Sequence, residues 1–235
     1  MESLFYFRTM PQNNTALLEF LFRFVNDNRK ELFMQNIKNR TNYITVVLED
    51  IFQPQNASAV IRTCDCFGVQ DLHIIENKNK YRINPDVALG ANQWVNIFKY
   101  NKERNNSIKC IHTLKEKGYR IVATSPHKNA NTLSLFNLEA GKCALFLGTE
   151  KKGLSEDVLS NADEFVTIPM FGFTESFNIS VSASIIMYHL STMLRESSIP
   201  WQLTKEEQTE QLITWAKKTL KKPHLLIKQF SETQL

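Results

Sequence analysis

The chain has 235 residues, long enough for one large domain or one domain with appendages. Apolar residues make up 43% of it, which excludes a disordered chain and allows a sizeable core. The net charge of +4 and a pI of about 8.8 permit an RNA partner, but fall short of the balance of a strongly basic nucleic-acid domain.

No apolar run approaches the roughly 20 residues that a spanning helix needs. The start, MESLFYFRTMPQNN, has an acidic second residue and no small-residue cleavage pattern. A cytoplasmic protein is therefore expected. Cys64, Cys66, Cys110 and Cys143 have no zinc-like spacing, and the Cys64/Cys66 pair points about 200° apart around a helix. Reduced, buried thiols are expected, and no metal.

Residues 14–38 carry Leu17, Leu18, Leu21, Phe22 and Val25, then Leu32, Phe33 and Ile37, at helical spacing. One or two helices are expected, with Asn13 or Asn14 as the first cap. Tyr43–Leu48 is short and β-branched, hence a buried strand. Asn56 is placed to cap a helix running through Gly68. Ala57, Val60, Ile61, Cys64 and Phe67 form its inward stripe, and Ser58, Arg62 and Asp65 its outward one. Leu72–Ile75 follows as a strand, completing a βαβ unit.

The alternation continues. A short helix or turn surrounds Gly90, and Val95–Phe98 is a strand. A helix around Ile108–Leu114 closes at Gly118. Tyr119–Ala123 and Ala144–Leu147 are strands, Glu156–Ala162 is a short helix, and Phe165–Pro169 is a last strand. Asn178–Leu194 is a long helix, with a separate one near Glu206–Leu220. Strands alternating with helices give an α/β domain with a mostly parallel sheet. From Trp215 to Lys228 the chain carries Lys217, Lys218, Lys221, Lys222 and Lys228 and no acid, read as one basic helix.

Three stretches carry candidate chemistry. In Leu147–Gly153, LGTEKKG, glycines follow a buried strand, where backbone can approach a ligand closely. It is not a P-loop, because position 154 is Leu rather than Lys. In Asn56–Gly68, NASAVIRTCDCFG, Arg62 offers a guanidinium that can fork onto phosphate or pair with Asp65. In Ile168–Val181, IPMFGFTESFNISV, Ser176 and Asn178 flank Phe177 at a helix start and read equally as caps or as site residues. Thr124 ends a strand and can line the same crevice. His73, His112, His127, His189 and His224 are scattered and read as structural.

Taken together, NASAVIRTCDCFG, GANQW, LFLGTEKKGL and IPMFGFTESFNISVSASIIMY, in this order, resemble the motifs of SPOUT-superfamily RNA 2′-O-ribose methyltransferases of the TrmH group. The likeness covers roughly residues 40–195. It implies a Rossmann-like, mostly parallel sheet with a C-terminal deep trefoil knot, flanked by helical extensions at 1–40 and 196–235 around a methyltransferase domain at 41–195. It also implies S-adenosylmethionine as cofactor and a homodimer whose site draws on both subunits. Asn56, Arg62, Glu150, Ser176 and Asn178 match catalytic or active-site positions. Thr124, Gly148, Ile168 and Phe177 match cofactor positions, Phe177 standing where the family usually has Leu. Of the basic run, Lys217, Lys218, Lys221 and Lys222 are expected to bind RNA. The helical ends point to a tRNA substrate, guanosine 18 of the D-loop. The alternatives are ribosomal RNA, another tRNA position, and a non-catalytic RNA-binding protein.

Overall fold

The computed structural model describes residues 11–125, 130–149 and 152–233, and the chain divides into two compact units. Thr41–Trp201 forms one; the two ends of the chain, up to Arg40 and from Gln202, form the other.

The Thr41–Trp201 unit is built on strands β1 (Ile44–Glu49), β2 (Asp71–Ile75), β3 (Asn96–Tyr100), β4 (Arg120–Thr124), β5 (Asn131–Thr132), β6 (Cys143–Leu147) and β7 (Glu164–Thr167). They form one seven-stranded sheet of order β3-β2-β1-β6-β4-β7-β5, every pair parallel. A parallel sheet needs both faces covered, and the central strands show it: every residue of β1 and β6 is buried. Val46 and Leu48 face a core shared with helices α3 (Pro54–Phe67) and α7 (Ile179–Glu196), through Val60, Ile61, Ala183 and Met187. Val47 and Phe146 face the opposite core, against Ile111 and Leu114 of α5 (Asn106–Glu116) and Val158 of α6 (Glu156–Asn161). The period of two along each strand thus feeds two cores at once.

Strand order reverses between β1 and β6. From β1 the sheet grows through β2 to β3 on one side, and through β6 to β4 and β7 on the other. Such a reversal opens a crevice beyond the carboxyl ends of the strands. Four segments meet this rim: Asp50 after β1, Ser125 after β4, Gly148 after β6 and Ile168 after β7.

In the other unit, α1 (Pro11–Phe22), α2 (Asp27–Ile37), α8 (Lys205–Thr219) and α9 (Pro223–Thr233) pack together. Trp215, 1% exposed, lies between the Phe33 ring at 5.5 Å and the Arg40 guanidinium at 5.2 Å. A capping box at Thr204 and Glu207 starts α8.

Several local expectations are corrected. Helix α1 already includes Pro11, so Asn13 and Asn14 lie within its first turn; the side-chain cap in this region is Asn26, on α2. Pro54 occupies the first turn of α3, where its missing N–H costs nothing, so Asn56 is inside the helix and does not cap it. Ser58 is buried, accepting a bond from the Asn84 amide, because the 84–94 segment covers that side of α3. Cys64, Cys110 and Cys143 are buried, but Cys66 is exposed. The basic stretch is two helices rather than one: Lys222 has φ 53 and Pro223 begins α9. The two-residue β5 lies in a polar stretch with no alternation to reveal it. Among the described residues no helix is long and apolar enough to cross a membrane, and no group of His, Cys, Asp and Glu could hold a metal ion.

Candidate active site

A cleft of about 380 Å3 opens beyond the carboxyl ends of β6, β4 and β7, on one side of the strand-order reversal. Its wall includes Thr124, Gly148, Ile168, Ser176 and Phe177, drawn from three of the four rim segments and the start of α7. The glycine is required by geometry. Gly153 closes a tight return, its N–H donating to the Thr149 carbonyl at 2.8 Å and its carbonyl accepting from the Thr149 N–H at 3.0 Å. That return lies directly over Gly148, where a Cβ would overlap the Gly153 carbonyl and the Leu154 nitrogen. Gly153 itself has φ 65, a conformation that glycine adopts freely. The Thr124 hydroxyl donates to the Phe146 carbonyl at 2.9 Å, tying the end of β4 to β6. Apolar surface comes from Ile168, Met170 and Phe177, the ring of Phe177 being 41% exposed at the mouth.

Asn178 caps α7. Its Oδ1 accepts from the Ser180 N–H at 2.9 Å and from the Ser180 hydroxyl at 2.6 Å. The same side chain donates through Nδ2 to Asn56 Oδ1 at 3.1 Å. Asn178 is thus the cap that the sequence allowed, and its side chain joins the starts of α3 and α7 without lining either cleft. Asn56 is 7% exposed and lies on the wall of a second cleft of about 540 Å3. The two clefts share Thr149, Lys152, Gly153, Leu154 and Ile179.

Arg62 is exposed on α3, about 9 Å along the axis from Asn56 at 1.5 Å per residue, and lines neither cleft. Among the described residues it has no hydrogen bond or ion pair, so the alternative of a bridge to Asp65 is not realised. Glu150 and His127 lie outside the described residues. Lys217 and Lys218 occupy the last turn of α8, where desolvation lowers both ammonium pKa values; Lys221 and Lys222 follow in the exposed link to α9.

Sequence reasoning missed Glu49. This carboxylate is 3% exposed at the end of β1; Oε1 accepts from the hydroxyls of Ser107 at 2.5 Å and Ser155 at 2.6 Å, and Oε2 from the Ser155 N–H at 2.8 Å. It braces the rim against α5 and the cap of α6. The available signal was an acid closing an otherwise apolar strand, YITVVLE. Asp50 and Phe52, on the second cleft, were also missed.

The family model of the SpoU rRNA Methylase family matches residues 43–188. The chain belongs to that family. It is 47% identical over 202 residues, 86% of this chain and 90% of the other, to the tRNA (guanosine(18)-2'-O)-methyltransferase of Borreliella burgdorferi. It is 31% identical over 164 residues to the enzyme of the same name from Escherichia coli, covering 70% of this chain and 69% of the other. Among solved structures, the A. aeolicus TrmH/SpoU tRNA modifying enzyme matches with a TM-score of 0.73 and 29% identity, over 83% of this chain and 98% of that one. The SpoU match begins on β1 and ends on α7, so it spans every strand of the sheet and both clefts.

Proposed function

We propose that the protein is an S-adenosylmethionine-dependent methyltransferase that acts on the ribose 2′-hydroxyl of guanosine 18 in tRNA. The observation that carries this reading is the glycine-bordered cleft at the ends of β6, β4 and β7, within a SpoU match whose relatives carry that activity in their names.

The residues present fit the cofactor. Gly148 lets the Gly153–Leu154 main chain pack against the end of β6, so bare backbone borders the cleft; Ile168 and Phe177 offer apolar walls to a flat ring, and Thr124 stands beside them. A volume of about 380 Å3 lies in the range of roughly 300–1,000 Å3 of small-molecule sites. When bound, S-adenosylmethionine supplies a methyl group activated by a sulfonium centre.

The chain's own work is to position the ribose hydroxyl and help its proton leave. Asn56 and Asn178, locked together at the starts of two helices, hold polar groups beside the rim that both clefts share. Ser176 adds a hydroxyl on the wall, and Glu150 belongs by motif to the LGTEKKG stretch after β6. A guanidinium keeps its proton, with a pKa above about 12, so Arg62 acts as an electrostatic clamp on the phosphate and developing alkoxide rather than as the base. Its exposure agrees with delivery from a second copy of the chain in a homodimer. Val181 and Tyr188, exposed on the helix that packs against α3, support an interface there.

The remaining features of the reading follow from the family. The methyltransferase domain is 41–195, knotted at its C-terminal end. β7 lies beyond β4 while the following α7 returns to α3 and the 133–140 segment, the kind of path that such a knot requires. The Lys217, Lys218, Lys221 and Lys222 group supplies RNA phosphate contacts. The enzyme works in the cytoplasm, where its substrate is found.

The deciding experiment incubates purified protein and labelled cofactor with a tRNA transcript or with ribosomal RNA, then maps the methylated ribose. Label on one guanosine ribose of the D-loop is expected; label confined to ribosomal RNA would overturn the reading. Arg62→Ala should lower turnover by on the order of 100-fold or more at saturating RNA and cofactor. Unchanged turnover would remove Arg62 from the mechanism.

A further inference from the structure

We propose that the second cleft receives the guanine base of the target nucleotide, with Phe52 stacking on its ring and the Asp50 carboxylate reading its N1–H. This inference rests on the ribose-methylation reading above. It assigns a base-binding site and its specificity residue.

Location comes first. The second cleft shares a rim with the first, formed by Thr149, Lys152, Gly153, Leu154 and Ile179. A nucleotide whose sugar lies on that rim has the first cleft on one side of the ribose and the second on the other. At about 540 Å3 the second cleft has room for a purine. Its edge carries Phe52, 77% exposed, an aromatic ring held in water beside a cavity. Rings of this kind supply stacking platforms for unstacked bases.

The wall then selects the base. Asp50 has φ 52, a left-handed conformation that is uncommon outside glycine. It is held there by its surroundings. Oδ1 accepts from the backbone N–H groups of Asn77 at 2.7 Å, Lys78 at 2.8 Å and Asn79 at 3.3 Å, and the Asp50 carbonyl accepts from Asn79 Nδ2 at 2.7 Å. One carboxylate oxygen is thus used to fix the residue. Oδ2 takes no part in these bonds, and Asp50 is one of the residues lining the cleft. An immobilised carboxylate oxygen accepts and cannot donate. Guanine presents a hydrogen on N1, whereas adenine presents a lone pair there and is repelled. Lys78 and Lys152, on the same wall, offset the acid's charge toward an RNA backbone.

Asp50→Asn and Phe52→Ala separate the two roles. Asparagine keeps an Oδ1 acceptor for the three amides, so the turn survives, but replaces the free oxygen by a donor. The probes are tRNA transcripts carrying G or A at the target position, assayed for kcat/KM. Cofactor binding by calorimetry serves as the control. Wild type should prefer G by about 100-fold or more, as sites built to hydrogen-bond a group do. Asp50→Asn should lose at least about tenfold on G and bring the two transcripts within about tenfold of each other, since a hydrogen bond to a charged group carries roughly that much. Phe52→Ala should lose about ten- to a hundredfold on both transcripts with the preference kept. Cofactor binding should be unchanged in both variants.

An Asp50→Asn enzyme that keeps the wild-type preference overturns the proposal. So does one that loses cofactor binding together with activity, because Asp50 would then serve the turn alone. If wild type methylates guanosine normally in either case, the ribose-methylation reading stands. A wild-type protein that modifies neither transcript overturns both.

Discussion

The two clefts lie side by side on one rim, yet they are made differently. The first is shaped by main chain: a glycine that tolerates no side chain, a glycine-closed return above it, and a hydroxyl tied to a strand carbonyl. The second is shaped by side chains: an exposed ring, a constrained carboxylate and a buried amide on a loop and a helix start. A main-chain pocket changes shape sharply on substitution, because backbone cannot rotate away. A side-chain pocket changes its selectivity while its frame survives.

Gly148→Ala should break the first cleft outright. The added methyl meets backbone on the opposite side of the return, so cofactor affinity should fall by on the order of 100-fold or more, about 2.7 kcal/mol. Titration calorimetry reads this directly. Wild-type affinity in that variant would show that the first cleft is not defined by its main chain.

The frame under both clefts can be separated from the rim by pH. His73, buried on β2, donates to or accepts from the Tyr100 hydroxyl at 3.1 Å and stacks on Phe98, and burial lowers its pKa from 6.5 to about 3. Below pH 6.5 the unfolded chain binds a proton that the folded chain refuses. Stability therefore falls as pH drops from 6.5 toward 3, by roughly 2 kcal/mol at pH 5 from this residue. Urea unfolding of His73→Gln should have a shallower pH dependence over that window than wild type. Identical slopes would remove His73 as the cause.

Asn178→Ala should cost about 1–2 kcal/mol of stability, from the lost α7 cap and the lost bond to Asn56. Asn178→Asp keeps the cap but loses the donor to Asn56. It should therefore recover most of the stability and little of the activity. Equal stability of the alanine variant and wild type would mean that the link between the helix starts is not structural. Phe177→Leu should matter least, changing cofactor affinity by less than about tenfold, since an apolar swap keeps the wall. A larger loss would mean that the ring makes a contact specific to an aromatic.

These contrasts also explain what was legible in the sequence. The β1–α3–β2 unit was readable because YITVVL is short and β-branched and the α3 stripe has one clear period. The lining of the first cleft was partly readable because a glycine after a strand and a Ser-Phe step before a helix leave a local pattern. Asp50 and Glu49 were not, because their meaning comes from groups far along the chain: Asn77–Asn79, Ser107 and Ser155. Ser58 looked outward by helical phase alone, since nothing local announces that the 84–94 segment covers it. The basic run was read as one helix from its uninterrupted positive charge, whereas the break is set by Lys222 and Pro223.

The most direct test of the central claim is a crystal structure of the protein grown with S-adenosylhomocysteine, the demethylated cofactor. Density is expected in the first cleft, against Gly148, with the flat ring between Ile168 and Phe177. Full occupancy at any other position on the sheet, with that cleft left to solvent, would contradict the account.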